Sequence, residues 1–105
     1  MLVAWRQPHH LSDDEARAWL RVESRRLLEL PEVARLELTE LERASDRQAL
    51  AWHWLLDVHL VPGPDSPRCV EAPLFADWLL DLQLLGMRPV VVLAERTIVL
   101  EREHT

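Results

Sequence analysis

The stretch Trp52-His53-Trp54-Leu55-Leu56-Asp57-Val58-His59-Leu60-Val61 decides the fold. Trp54, Leu56, Val58 and Leu60 fall on one side of an alternating pattern and are all apolar. His53, Leu55, Asp57 and His59 fall on the other. Successive strand side chains point to opposite faces, so this period of two describes a strand with one face in a core.

Upstream, Glu32 to Glu42 repeats the pattern, with Ala34, Leu36 and Leu38 alternating with Arg35, Glu37 and Thr39. The polar run from Arg43 to Leu50 reads as the connection between the two strands. Before them a helix opens at Ser12, where Ser12 and Glu15 have capping-box spacing and Asp13 and Asp14 suit the positive end of the helix dipole. Its apolar stripe is Ala16, Trp19, Leu20, Leu27 and Leu30, its solvated stripe Arg17, Arg21 and Arg25, and Pro31 ends it. Met1 to Arg6 is a short apolar strand.

Downstream, Pro62-Gly63-Pro64-Asp65-Ser66-Pro67 is a loop. A second helix begins at Pro73, buries Phe75, Trp78, Leu79, Leu82 and Leu85, and meets Gly86 as a C-terminal cap. The β-branched run from Arg88 to Ala94 is the last strand, which Thr97 to Glu101 extends or supplements.

The order is strand, helix, strand, strand, helix, strand. That is the β-α-β-β-α-β order of an α+β, ferredoxin-like domain. It predicts one domain over residues 1–105, with a four-stranded antiparallel sheet and both helices on one face. The opposite face would carry Arg35, Glu37, Thr39, His53, Leu55, Asp57 and His59. Its mixture of apolar and charged residues suits two sheets packing face to face as a homodimer around a cavity.

This pattern resembles the dimeric α/β-barrel superfamily, and within it is most similar to EthD-like and antibiotic-biosynthesis-monooxygenase-like small proteins. The resemblance spans nearly the whole chain. It rests on the opening strand, Leu11-Ser12-Asp13-Asp14-Glu15 with Trp19, the run Trp54-Leu55-Leu56-Asp57-Val58-His59, the second helix and the closing valine strand. Glu23 stands where EthD-like sequences usually carry a histidine one turn after the helix-one aromatic, so no role is carried over from that position. The resemblance implies a homodimer and, for an enzyme, cofactor-independent oxygenase or isomerase chemistry on a small organic molecule. Haem binding also occurs in the wider superfamily.

The residues themselves offer His53, Asp57 and His59 on one side of one strand. Asp57 and His59 would be neighbours about 7 Å apart at Cα. A histidine there can serve as a general base with the carboxylate orienting its ring. A polar stripe facing solvent or a partner is the plainer alternative. The same residues offer metal-binding donors, but His53 and His59 lie too far apart for one site without help from another strand, so no metal and no cofactor are expected.

Arg35 and Glu37 could grip an acidic substrate, a cross-strand ion pair being the plainer account. Trp19, Trp54 and Trp78 fall on core faces, whereas Trp5 and Trp52 are assigned to a ligand pocket or, preferably, the dimer interface. His9-His10 reads as a solvated turn, and Cys69 as an incidental free thiol.

Composition narrows the partners. The net charge of −6 and pI near 5.3 argue against nucleic acid and anionic membranes, which demand clustered positive charge. All 12 basic residues are Arg. There is no signal-like segment and no apolar run near membrane-span length, and one cysteine suits a reducing compartment, so a cytoplasmic location is expected. With only Gly63 and Gly86, a glycine-rich phosphate loop is not to be looked for. Two readings stay open: a small-molecule enzyme using His53 or His59, Asp57 and Arg35, or a structural or ligand-sensing homodimer with a packed interior.

Overall fold

The computed structural model describes residues 1–41, 52–93, 98 and 100–102. Its elements are β1 (Leu2–Trp5), α1 (Asp13–Glu23), β2 (Val33–Glu40), β3 (Trp54–Leu60), α2 (Pro73–Leu84) and β4 (Val90–Val92), with 3-10 helices over Ser24–Glu29 and Ser66–Glu71. The four strands form one sheet in the order β2-β3-β1-β4, every neighbouring pair antiparallel. This is the ferredoxin-like α+β arrangement, with an open sheet. The connection over Arg43 to Leu50, and Ala94, Thr97 and Val99 of the closing segment, lie outside the described residues.

Strand parity builds the core, on β3 with the residues the sequence predicts. Val3 and Trp5 of β1 stand opposite Leu56 and Trp54 of β3, and all four are buried. They join Ala16 and Leu20 of α1 and Phe75, Trp78 and Leu82 of α2 in one apolar cluster. Both helices therefore pack on the same sheet face. Trp78 meets Trp5 and Phe75 edge to face, at ring-centroid distances of 6.0 and 5.8 Å.

Local capping follows the sequence closely. Ser12 caps α1, its hydroxyl accepting from the Glu15 backbone N–H at 3.1 Å. Gly86 ends α2 at φ +93°. The Gly86 N–H donates to Gln83 O, and that of Met87 to Leu82 O, at 2.9 and 3.0 Å. These paired bonds are a Schellman motif, which needs the left-handed residue that glycine supplies.

Three local expectations change. The first helix yields to a 3-10 helix at Ser24 well before Pro31. Ser24, Leu27 and Leu30, three residues apart, are all buried, which suits a turn of three residues better than one of 3.6. In β2 the pairing slips between Val33 and Arg35, so Val33 is buried opposite Leu60 while Ala34 is exposed. The loop from Pro62 runs into a 3-10 helix at Ser66, whose hydroxyl donates to Val61 O at 2.7 Å.

Ion pairs tie the helices down at their edges. Arg17 of α1 holds both carboxylate oxygens of Glu40 at the end of β2, at 2.9–3.1 Å. These bonds raise the Arg17 pKa further above its ordinary value. Arg26 reaches Asp81 of α2 at 2.7 Å. Among the described residues no helix is long and apolar enough to cross a membrane.

Candidate functional site

The face turned away from the helices carries two kinds of surface. Leu2 of β1, Leu55 of β3 and Val90 and Val92 of β4 make its apolar side around the buried Ala4, with the two valines 44% and 49% exposed. Arg35 and Glu37 of β2 and Asp57 and His59 of β3 make its polar side.

Register determines who meets whom on that polar side. Arg35 stands opposite His59, and Glu37 opposite Asp57. The His59 imidazole lies between both acids, its Nε2 3.5 Å from Glu37 Oε1 and 3.5 Å from Asp57 Oδ2. One donor atom from each of the three residues lies within 4.8 Å of the others. His59 Nε2 has almost no solvent-accessible surface and no hydrogen-bond partner. The Arg35 guanidinium turns along its own strand to pair with Glu37.

His53 does not join this group. Six residues of extended strand separate it from His59, about 20 Å. Its Nδ1 accepts the Gln7 backbone N–H at 2.8 Å, so the ring fastens the end of β1 to the start of β3. The Gln7 side chain completes the joint. Its amide nitrogen donates to Leu11 O and Asp13 Oδ1, both at 2.8 Å, and its oxygen accepts from the Trp54 indole at 3.2 Å.

Trp5 does not line the outer face either. Its parity on β1 turns it into the helix-side core, where it is 0% exposed. Assignment to a ligand pocket or dimer interface is thereby corrected. Trp52, just before β3, is 36% exposed. His9 and His10 lie in an exposed turn, and His10 Nε2 is 3.1 Å from Leu85 O, over the end of α2. Cys69 is buried, and desolvation, with a smaller push from Glu32, raises its pKa. An open depression lined by Gln83, Gly86, Met87, Arg88 and Pro89 belongs to the end of α2 and lies off the outer face.

Glu37 enters the cluster although the sequence groups it with Arg35 and not with Asp57 and His59. The signal for its larger role is strand register: sliding β2 along β3 until Val33 meets Leu60 and the Ala34 bulge is absorbed brings Glu37 opposite Asp57. Gln7, a lone amide beside Pro8, carries no sequence signal for its joint.

The chain matches no family model and no curated protein. Its fold is shared with a solved structure. The crystal structure of HapK from Hahella chejuensis superposes with a TM-score of 0.59 over 94% of this chain and 99% of that one, at 14% identity. At that identity the likeness concerns the fold alone.

Proposed function

We propose that the protein works as a homodimer whose outer sheet faces meet around a small organic molecule, with the Glu37–Asp57–His59 cluster as the polar wall of the pocket. The observation that carries this reading is the divided face itself: Leu2, Leu55, Val90 and Val92 beside a cluster whose imidazole nitrogen is withdrawn from water. Apolar area of this kind suits burial against a second copy, while convergent polar groups orient a ligand. His59 is the proton acceptor through Nδ1, Asp57 and Glu37 hold its ring by accepting from Nε2–H, and Arg35 binds negative charge on the molecule. The chemistry this suits is proton abstraction from a small organic compound, the step that opens a cofactor-independent oxygenation or isomerisation.

Native mass spectrometry and sedimentation test this together. The expected result is a dimer that carries a non-covalent organic mass, converts to a folded monomer in Leu55→Asp, and loses the bound mass in His59→Ala while staying dimeric. A stable wild-type monomer would refute the assembly. A dimer unaffected by Leu55→Asp would place the interface elsewhere. A clean dimer in which added small molecules never bind would favour the second reading, a homodimer with a packed interior.

A further inference from the structure

We propose that Glu37, Asp57 and His59 form a site for one divalent transition-metal ion per chain, of the zinc, cobalt or manganese class.

The spacing of the donors comes first. Nitrogen and oxygen ligands about 2.0–2.1 Å from a tetrahedral zinc ion lie roughly 3.3 Å apart. His59 Nε2 stands 3.5 Å from an oxygen of each carboxylate and the three donor atoms lie within 4.8 Å of one another, so side-chain rotations bring them onto one ion once Arg35 releases Glu37 Oε1. The donors come from neighbouring strands at fixed register and need no rearrangement of the backbone.

His59 is poorly satisfied as it stands. Its Nε2 has no hydrogen-bond partner and hardly any contact with water, although the side chain as a whole is 40% exposed. Its two carboxylate contacts, at 3.5 Å, are too long for good hydrogen bonds and leave it incompletely satisfied. A cation at the meeting point of the three donors would complete it, with the neutral imidazole giving its lone pair.

Charge points the same way. Glu37 and Asp57 are directly opposite across β2 and β3, a placement that is unfavourable for like charges. Arg35 answers one of the two, through Glu37, and leaves the group with a net negative charge. Arg35 is 65% exposed and can swing aside. One imidazole with two carboxylates and no thiolate suits zinc, cobalt or manganese, whereas magnesium and calcium prefer oxygen throughout.

All three donors belong to one chain, so the site itself does not depend on the dimer. Its consequence does rest on the proposed function: an ion on Nε2 leaves the ring's one proton on Nδ1, so the loaded and proton-accepting states exclude each other.

The test is calorimetric titration of the chelator-treated protein with zinc, repeated with cobalt for its visible spectrum. One ion per chain is expected, with a cobalt spectrum lacking thiolate charge transfer. His59→Ala and Asp57→Asn should each weaken binding by at least about tenfold. Glu37→Gln, a change at the strand surface, should do the same and serves if either of the others fails to fold. Arg35→Ala removes the competing cation and should tighten binding several-fold. His9→Ala/His10→Ala should leave it unchanged. Absence of binding at millimolar zinc, or binding that survives His59→Ala and Glu37→Gln, overturns the inference. Failure of the dimer would appear in sedimentation and leave this titration intact, so the two proposals fall separately.

Discussion

The backbone N–H of Gln7 donates to Nδ1 of His53 across 2.8 Å, which joins the end of β1 to the start of β3. The bond fixes the neutral tautomer, with the ring proton on Nε2, and makes His53 part of the sheet's construction. It also separates two histidines that the alternating pattern of β3 places on one side.

Replacing His53 should therefore affect stability. His53→Ala strands the Gln7 N–H and is expected to cost about 1–2 kcal/mol. The melting temperature should fall by roughly 5–10 °C. His59→Ala, which breaks no hydrogen bond, should shift it by less than about 3 °C. Thermal denaturation followed by circular dichroism checks the contrast, and equal losses would contradict the division of roles.

Trp5 and Trp52, which the sequence alone does not distinguish, should behave oppositely. Trp5→Ala opens a cavity against Trp78 and is expected to destabilise by about 3–5 kcal/mol, enough to unfold much of a marginally stable domain. Trp52→Ala, at a site 36% exposed, should cost under about 1 kcal/mol. Urea unfolding curves distinguish them.

Gly86 should resist substitution for two separable reasons. Its φ of +93° is strained for any residue with a side chain, and an added Cβ would come within 2.9 Å of His10 Cε1. Gly86→Ala should cost about 1–2 kcal/mol or more. Adding His10→Ala should recover only the steric part. Full recovery in a double-mutant cycle would mean that backbone conformation contributes nothing.

Cys69 gives a pH dependence whose sign follows from burial. Its folded pKa is raised, chiefly by desolvation, so the folded state holds the thiol proton more tightly than the unfolded chain does. The associated stability is fully present below the ordinary thiol range, about 8.5, and is lost as the pH climbs from there through the folded pKa. Urea unfolding at pH 8 and pH 10 should show an alkaline loss that is smaller in Cys69→Ala. Alkylation of the native protein at neutral pH should be slow, and rapid labelling would contradict the burial.

Much of this fold can be read from the order of residues. Trp54, Leu56 and Val58 announce a buried strand face through chemistry that repeats every second position, and Ser12 and Gly86 mark helix ends through bonds made within a few residues. Such features depend on neighbours in sequence. The order of these elements gives the ferredoxin-like sheet because few arrangements bury all the apolar sides at once.

The site depends on something else. Asp57 and His59 are visible as neighbours on β3, but Glu37 joins them only through the pairing of β2 with β3, and that pairing slips at Ala34. A shift of one position on a strand turns a side chain to the other face, so no reading of β2 alone could place Glu37 beside His59. Trp5 and His53 show the same division. The sequence determined that both lie at the start or end of strands. Tertiary structure decided that Trp5 turns inward onto Trp78 and that His53 is held by Gln7, since each depends on a partner more than 40 residues away along the chain.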